Sequence, residues 1–180
     1  MAIKTFTAGE VLTAADTNTY LANSGLVYIK QQAVPASGSS FTVTGAFSAT
    51  YDNYKIVWTN IGGTNDVSAY LTIGGSTGST YAAGGRYIPY SAAASGEVKY
   101  NANGQGVWIG INGAGFSGEL DVYTPFTATK TAFVGLSSSE TAGNFLAGFD
   151  TNAASSTAFT ITVTGTLTAG ICTVFGYRKS

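Results

Sequence analysis

The 180-residue chain has no histidine, a single cysteine and three prolines, and only 9% of its residues are charged. Each shortage removes a class of function. Without histidine there is no imidazole to act as general base, metal ligand or proton switch near neutral pH. Cys172 alone can neither close a disulfide within the chain nor build a cysteine-rich zinc site. Eight basic residues against nine acidic ones leave a net charge of −1, so no basic field exists to draw in the phosphates of duplex nucleic acid. No apolar run approaches the ~18 residues of a membrane helix. The opening MAIKTFTAGEVL lacks the apolar stretch of roughly 7–15 residues that marks a signal peptide. The chain is therefore expected to be made in a cytoplasm and not to insert into a membrane. Serine and threonine are abundant, but with no histidine and no Ser-x-x-Lys sequence nothing stands beside them to activate a hydroxyl. The expectation is a protein that is not an enzyme and carries no metal or cofactor.

What the chain does have is 24 glycines, 11 tyrosines and 10 phenylalanines, with aromatics at 13%. Disordered chains are poor in aromatic and β-branched residues, so this one folds. Its length suits one domain. A chain of this mass buries about 70% of its surface on folding, enough for a core without covalent staples. A net charge near zero gives copies little mutual repulsion and suits a subunit of an assembly.

Two segments differ in character. In residues 1–25, Thr13-Ala14-Ala15-Asp16 has the form of a helix cap, with Asp in place of the usual Glu. Leu12, Ala15, Thr19, Tyr20 and Leu21 follow at helical spacing, and Gly25 is a stop. A helix of about ten residues is marginal in isolation. Its apolar residues need another surface. From residue 26 to 180 the period changes to two. Runs rich in Val, Ile, Thr, Tyr and Phe predict strands near 26–34, 40–44, 54–60, 67–73, 86–90, 106–111, 117–124, 131–136, 144–149, 158–164 and 171–178. In Phe159-Thr160-Ile161-Thr162-Val163 the apolar residues point one way and the threonines the other. Many short strands with turn pairs such as Gly62-Gly63, Gly84-Gly85 and Asn103-Gly104 predict an all-β, jelly-roll-like sandwich, with a barrel as the alternative. The stretch 74–85, nearly all small residues, reads as a mobile loop.

Candidate chemistry is sparse. Glu119 and Asp121 share one face of a predicted strand. Such a pair suits Ca²⁺ or attack on a glycosidic bond, but the pattern brings no third ligand, and a solvated strand face is the simpler reading. Asp52-Asn53 and Asn65-Asp66 read as turn formers. Asn101, Asn103 and Gln105 precede Trp108, and an aromatic face beside amides suits a sugar, with Tyr81, Tyr87 and Tyr90 within reach of the same region. The bland alternative places Trp108 and Trp58 in the core. Cys172 sits in an apolar strand and reads as a small hydrophobe.

Phe6, Ala8-Gly9-Glu10-Val11-Leu12, Thr13-Ala14-Ala15-Asp16, Asn18 and Tyr20-Leu21 together resemble the N-terminal segment of many tailed-bacteriophage virion proteins. There the segment looks like an attachment tag before a variable β-rich body. The closing Phe175-Gly176-Tyr177-Arg178 is similar to the last strand of such proteins. The resemblance implies docking to other virion proteins through Phe6, Val11, Leu12, Thr13, Asp16, Tyr20 and Leu21. It implies a virion structural protein, foremost a tail-fibre or tail-associated component that touches the host surface and forms a homotrimer like phage fibres. Within that class the alternative is a capsid decoration or head-fibre protein. From another class come a carbohydrate-binding module, with host glycan met by Asn101, Asn103, Gln105 and Trp108, and a glycan-acting enzyme.

Overall fold

The computed structural model describes residues 7–11, 13–16, 25–64, 67–74, 76, 80–91, 96–101, 105–112 and 115–178. Alternating apolar and hydroxyl side chains favour extended backbone over helix, and the described residues hold only a single helical turn, α1 (Ala14–Asp16). The strands are β1 (Leu26–Ala33), β2 (Ser40–Val43), β3 (Asn53–Gly63), β4 (Val67–Ile73), β5 (Tyr81–Pro89), β6 (Gly96–Asn101), β7 (Val107–Asn112), β8 (Phe116–Tyr123), β9 (Thr131–Ser139), β10 (Ala142–Asp150), β11 (Phe159–Val163) and β12 (Leu167–Tyr177).

They form an eight-stranded sheet of order β1-β12-β3-β8-β9-β10-β5-β6 and a four-stranded sheet of order β2-β11-β4-β7. The two sheets pack face to face as a sandwich, not a closed barrel. The pairs β4–β7, β3–β8, β2–β11 and β1–β12 nest one outside the next along the chain, and they alternate between the sheets. The hydrogen-bonded chain β2-β11-β4-β7 and its counterpart β1-β12-β3-β8 are the two halves of a jelly roll. Two hairpins inserted into it, β5–β6 and β9–β10, extend the larger sheet on one side.

The core lies between the sheets. Tyr54, Ile56 and Trp58 of β3 face Phe41 and Val43 of β2, Leu71 and Ile73 of β4, and Phe159 and Ile161 of β11 in one continuous cluster. Aromatic edges meet aromatic faces within it. Phe47 and Tyr54 lie 4.8 Å apart at 68°, and Trp58 and Phe116 lie 6.1 Å apart at 61°. Such pairs add about 0.5–1.5 kcal/mol beyond burial. The hydroxyl of Tyr54 donates to the Ser48 carbonyl and accepts from the Ser48 N–H, both at 2.7 Å, which fastens the β2–β3 connection. Cys172 is buried among these residues, as the apolar run around it predicts, and burial pushes its thiol up to about 12.

The loop expectation for 74–85 is corrected. Residues 81–85 belong to β5, paired with β10 on one side and β6 on the other. Gly84 and Gly85 are not a turn: a Cβ on Gly85 would run into the Phe145 carbonyl, so the close strand approach demands its absence. Strand β6 itself has no counterpart among the strands expected from sequence. The described part of 74–80 is tied down. Asp150, 1% exposed, accepts from Ser76 Oγ at 2.6 Å, from Thr80 Oγ1 at 2.5 Å and from the Asn152 N–H at 3.0 Å. Tyr81 beside it receives the Ile73 N–H at 2.6 Å, and burial raises its pKa above the ordinary phenol value.

Glycine controls how closely β8 approaches the Trp58 ring. A Cβ on Gly118 would lie 2.7 Å from Trp58 Cζ2, whereas one on Gly143 meets nothing closer than the Tyr90 hydroxyl at 3.6 Å. Gly118→Ala should therefore destabilise by about 1–3 kcal/mol through overpacking. Gly143→Ala should stay within about 0.5 kcal/mol of the parent. Chemical denaturation of both variants checks the contrast, and equal midpoints would refute the packing account.

Candidate interaction surface

Strand alternation gives each sheet a second face that points away from the core, and the two outer faces differ in chemistry. On the four-stranded sheet the outward positions are largely hydroxyl-bearing. Thr42, Thr160 and Thr72 stand in one row across β2, β11 and β4, and Ser40 and Thr162 stand in the next. Thr42 and Thr160 share a hydrogen bond of 2.8 Å. This face is suited to water.

The outer face of the eight-stranded sheet is apolar over most of its extent. Val134 and Leu136 of β9 and Phe145 and Phe149 of β10 project from it, with Phe145 55% and Phe149 52% exposed. Tyr123 and Ile88 flank them, and Leu26, Tyr28 and Ile171 extend the apolar character across β1 and β12. The register builds a relief. Leu136, Phe145 and Arg86 form one ridge across β9, β10 and β5. The next row, Val134, Ala147 and Gly84, is low because two of its members are small. Beyond it the row of Tyr123, Ala132, Phe149 and Ala82 rises again at Tyr123 and Phe149. The trough between the ridges has a volume of about 420 Å³ and ends on Glu119 and Asp121 of β8.

Those two carboxylates share a face, as their spacing predicts, and the structure supplies what the sequence did not show. Register places Lys55 of β3 directly against Asp121. Its Nζ lies 3.1 Å from Glu119 Oε1 and 3.2 Å from Asp121 Oδ1. The Tyr177 hydroxyl donates to Asp121 Oδ1 at 2.5 Å. Burial works against the charge of Lys55, but its hydrogen bonds to Glu119 and Asp121 and the charge of Asp121 outweigh that and raise its pKa above the usual lysine value. Burial, then the hydrogen bond to Asp121, pushes Tyr177 up to about 12. A carboxylate pair bridged by an ammonium is an ion-pair network, and among the described residues no group of three His, Cys, Asp or Glu stands ready for a metal.

The remaining sequence candidates do not assemble into one place. Asn101 closes β6, on the far edge of the larger sheet, and pairs with Ala82. Gln105 lies before β7 on the other sheet and borders a shallow hollow with Tyr70, Thr72 and Thr162. Asn103 lies outside the described residues. Trp108 is corrected as a sugar platform. It is 2% exposed in β7, beside Tyr70 in the register, so its ring has no open face for stacking. Trp58 is fully buried, as its apolar strand predicts. Of the other tyrosines considered, Tyr81 is buried, Tyr87 half-buried and Tyr90 exposed.

In the N-terminal segment, Thr13 and Asp16 form the capping arrangement. The Asp16 N–H donates to Thr13 Oγ1 at 3.1 Å, the Thr13 N–H donates to Asp16 Oδ2 at 3.1 Å, and Thr13 Oγ1 donates to the same oxygen at 2.6 Å. Val11 is 80% exposed. Phe6, Leu12, Tyr20 and Leu21 lie outside the described residues.

The apolar outer face escaped the sequence reading, though a sign of it was present. Ala132-Phe133-Val134-Gly135-Leu136 and Phe145-Leu146-Ala147-Gly148-Phe149 do not alternate with polar residues as β11 does. Strands that are apolar on both sides are those covered on both sides. Comparison with protein-family models, with curated proteins and with solved structures gives no match.

Both Lys55 and Tyr177 hold their protons more tightly in the fold than in the unfolded chain. Their contribution is complete below the unfolded tyrosine value of 10.0 and is lost as pH rises through the folded values, about 12 for Tyr177. Stability should therefore fall between about pH 10 and pH 12, and Tyr177→Phe should flatten that fall while costing about 1–2 kcal/mol at neutral pH. Urea melts at pH 8, 10 and 11 measure it. An unchanged slope in the variant would place the alkaline sensitivity elsewhere.

Proposed function

We propose that this chain is a non-catalytic structural protein of a tailed-bacteriophage particle, foremost a tail-fibre or tail-associated component, with residues 1–25 docking to other virion proteins and the β-sandwich facing the medium. The observation that carries the reading is the state of the N-terminal segment. Its described residues, 7–11 and 13–16, leave their side chains exposed or half-exposed, outside a sandwich whose core closes without them. The Thr13–Asp16 cap forms the first turn of a helix that the sequence makes too short to be stable unsupported. This is how an attachment tag behaves, and it agrees with the phage-like residues of the same segment. Self-association into a trimer belongs to the same reading.

Three features support a structural role over a catalytic one. Lys55 is ion-paired with both members of the carboxylate pair that a glycosidase would use. The tryptophan that would stack on a sugar is buried. The hydroxyls on the smaller sheet bond one another and have no histidine to activate them.

Truncation to begin at Gly25 tests the reading. The shortened protein should melt within about 2 °C of the full chain, a shift of less than roughly 1 kcal/mol for a domain of this size. In complemented phage it should be missing from purified particles. Unfolding on truncation would make the segment part of the core, and normal incorporation would move attachment to the sandwich. Copy number per particle separates tail from head placement.

A further inference from the structure

We propose that copies of this chain meet through the outer face of the eight-stranded sheet, centred on Phe145, Phe149, Val134 and Leu136. The proposal deepens the self-association in the functional reading and rests on it, but not on attachment to a virion.

Four observations converge on a second copy as the occupant. The first is extent. Nine large apolar side chains on this face are 37–60% exposed, in two fields that flank the Lys55–Glu119–Asp121 cluster. Together the fields expose several hundred Å² of apolar surface, and one side of a stable interface takes about 800 Å² with its polar groups included. The second is relief. The ridge of Leu136 and Phe145 runs beside a trough floored by Val134, Ala147 and Gly84. The ridge of one copy can seat in the trough of the next, a head-to-tail contact that closes into a ring, and small floor residues allow close approach. The third is charge. Lys55 and Arg86 balance Glu119 and Asp121 on this face, and Lys55 is already bonded to both carboxylates within the chain. A neutral face calls for no charged partner, which argues against nucleic acid and against the cationic rim of a membrane-surface protein. With a net charge of −1, copies repel weakly. The fourth is contrast. The opposite outer face bears threonine and serine beside the buried Tyr70, and among the described residues it exposes no large apolar side chain.

Covering this face would take Phe145 and Phe149 out of water without moving the core, because both point away from it. Buried aromatic anchors dominate such contacts.

The test uses the full chain in solution at micromolar concentration, by sedimentation velocity and light scattering. The parent protein is expected at three times the chain mass. Phe145→Asp and Phe149→Asp should each weaken association about tenfold or more while keeping the far-UV spectrum and the cooperative melt of the sandwich. Ser40→Asp, on the hydroxyl face, should assemble like the parent. A folded, oligomeric Phe145→Asp protein together with a dissociated Ser40→Asp protein overturns the choice of face and leaves self-association standing. A parent chain that is monomeric overturns both. An oligomer of another size that still dissociates on Phe145→Asp supports the face and corrects the trimer. Binding of the parent to neutral phosphatidylcholine vesicles, with no self-association, would assign the face to lipid and overturn the proposal.

Discussion

The alternation of β3 is the constraint on which the rest of the molecule depends. Tyr54, Ile56 and Trp58 point inward and fill the centre of the core, and Lys55 between them points outward. The strand is hydrogen-bonded to β12 on one side and β8 on the other. It therefore fixes both the nested jelly-roll pairs and the point from which the β9–β10 and β5–β6 hairpins extend the sheet. A one-residue slip would exchange the two sets. It would carry an ammonium into the core and three large apolar side chains into water. Lys55 meets its carboxylates only in the observed register, so the ion pair specifies alignment more than it adds stability. That is the use for which a half-buried charge network is best suited.

The parts of the fold that could be read in the sequence are those with an alternating pattern of their own. β11 is legible because Phe159, Ile161 and Val163 are separated by threonines, and β3, β4 and β12 are legible from their β-branched and aromatic content. The first half of β5 and the whole of β6 were hidden for a physical reason. Ala82, Ala83, Gly84 and Gly85 have no periodicity to show, because their strand character comes from neighbours on both sides. The glycines that signal a turn locally are required here by a close backbone approach that only the tertiary structure creates. β6 hangs on that same β5 edge and was lost with it.

For the interaction surface the division falls elsewhere. That Glu119 and Asp121 share a face follows from strand geometry. Their partner Lys55 arrives through the β3–β8 register, which spacing along the chain does not encode. Trp108 looked open because polar residues precede it, yet β7 buries both its faces. Val107 and Ile109 pack into the core, and Trp108 is enclosed on the other side. Polarity of a preceding loop says little about the strand it leads into. The Thr13–Asp16 cap, by contrast, is local chemistry over three peptide units, and the structure forms it as the residues imply.

The two outer faces meet water on different terms. With 9% charged residues the chain has few of the groups that natural sheets use to discourage association. Hydroxyls do that work on the smaller sheet, where Thr42, Thr160 and Thr72 are themselves good strand formers and keep water near the surface. On the larger sheet the comparable devices among the described side chains are Arg86 of β5 and the Lys55–Glu119–Asp121 cluster, the latter set between the apolar fields of β1–β12 and β9–β10. Lys55 bonds both carboxylates and Tyr177 donates to one of them, and the cluster still carries a net charge of −1. An interface that left it hydrated would gain the area of the flanking aromatics without burying that charge. Misaligned copies would set one cluster against an apolar field of the next and lose part of its hydration with nothing gained in return. A single small polar island can thus permit association and still select its register.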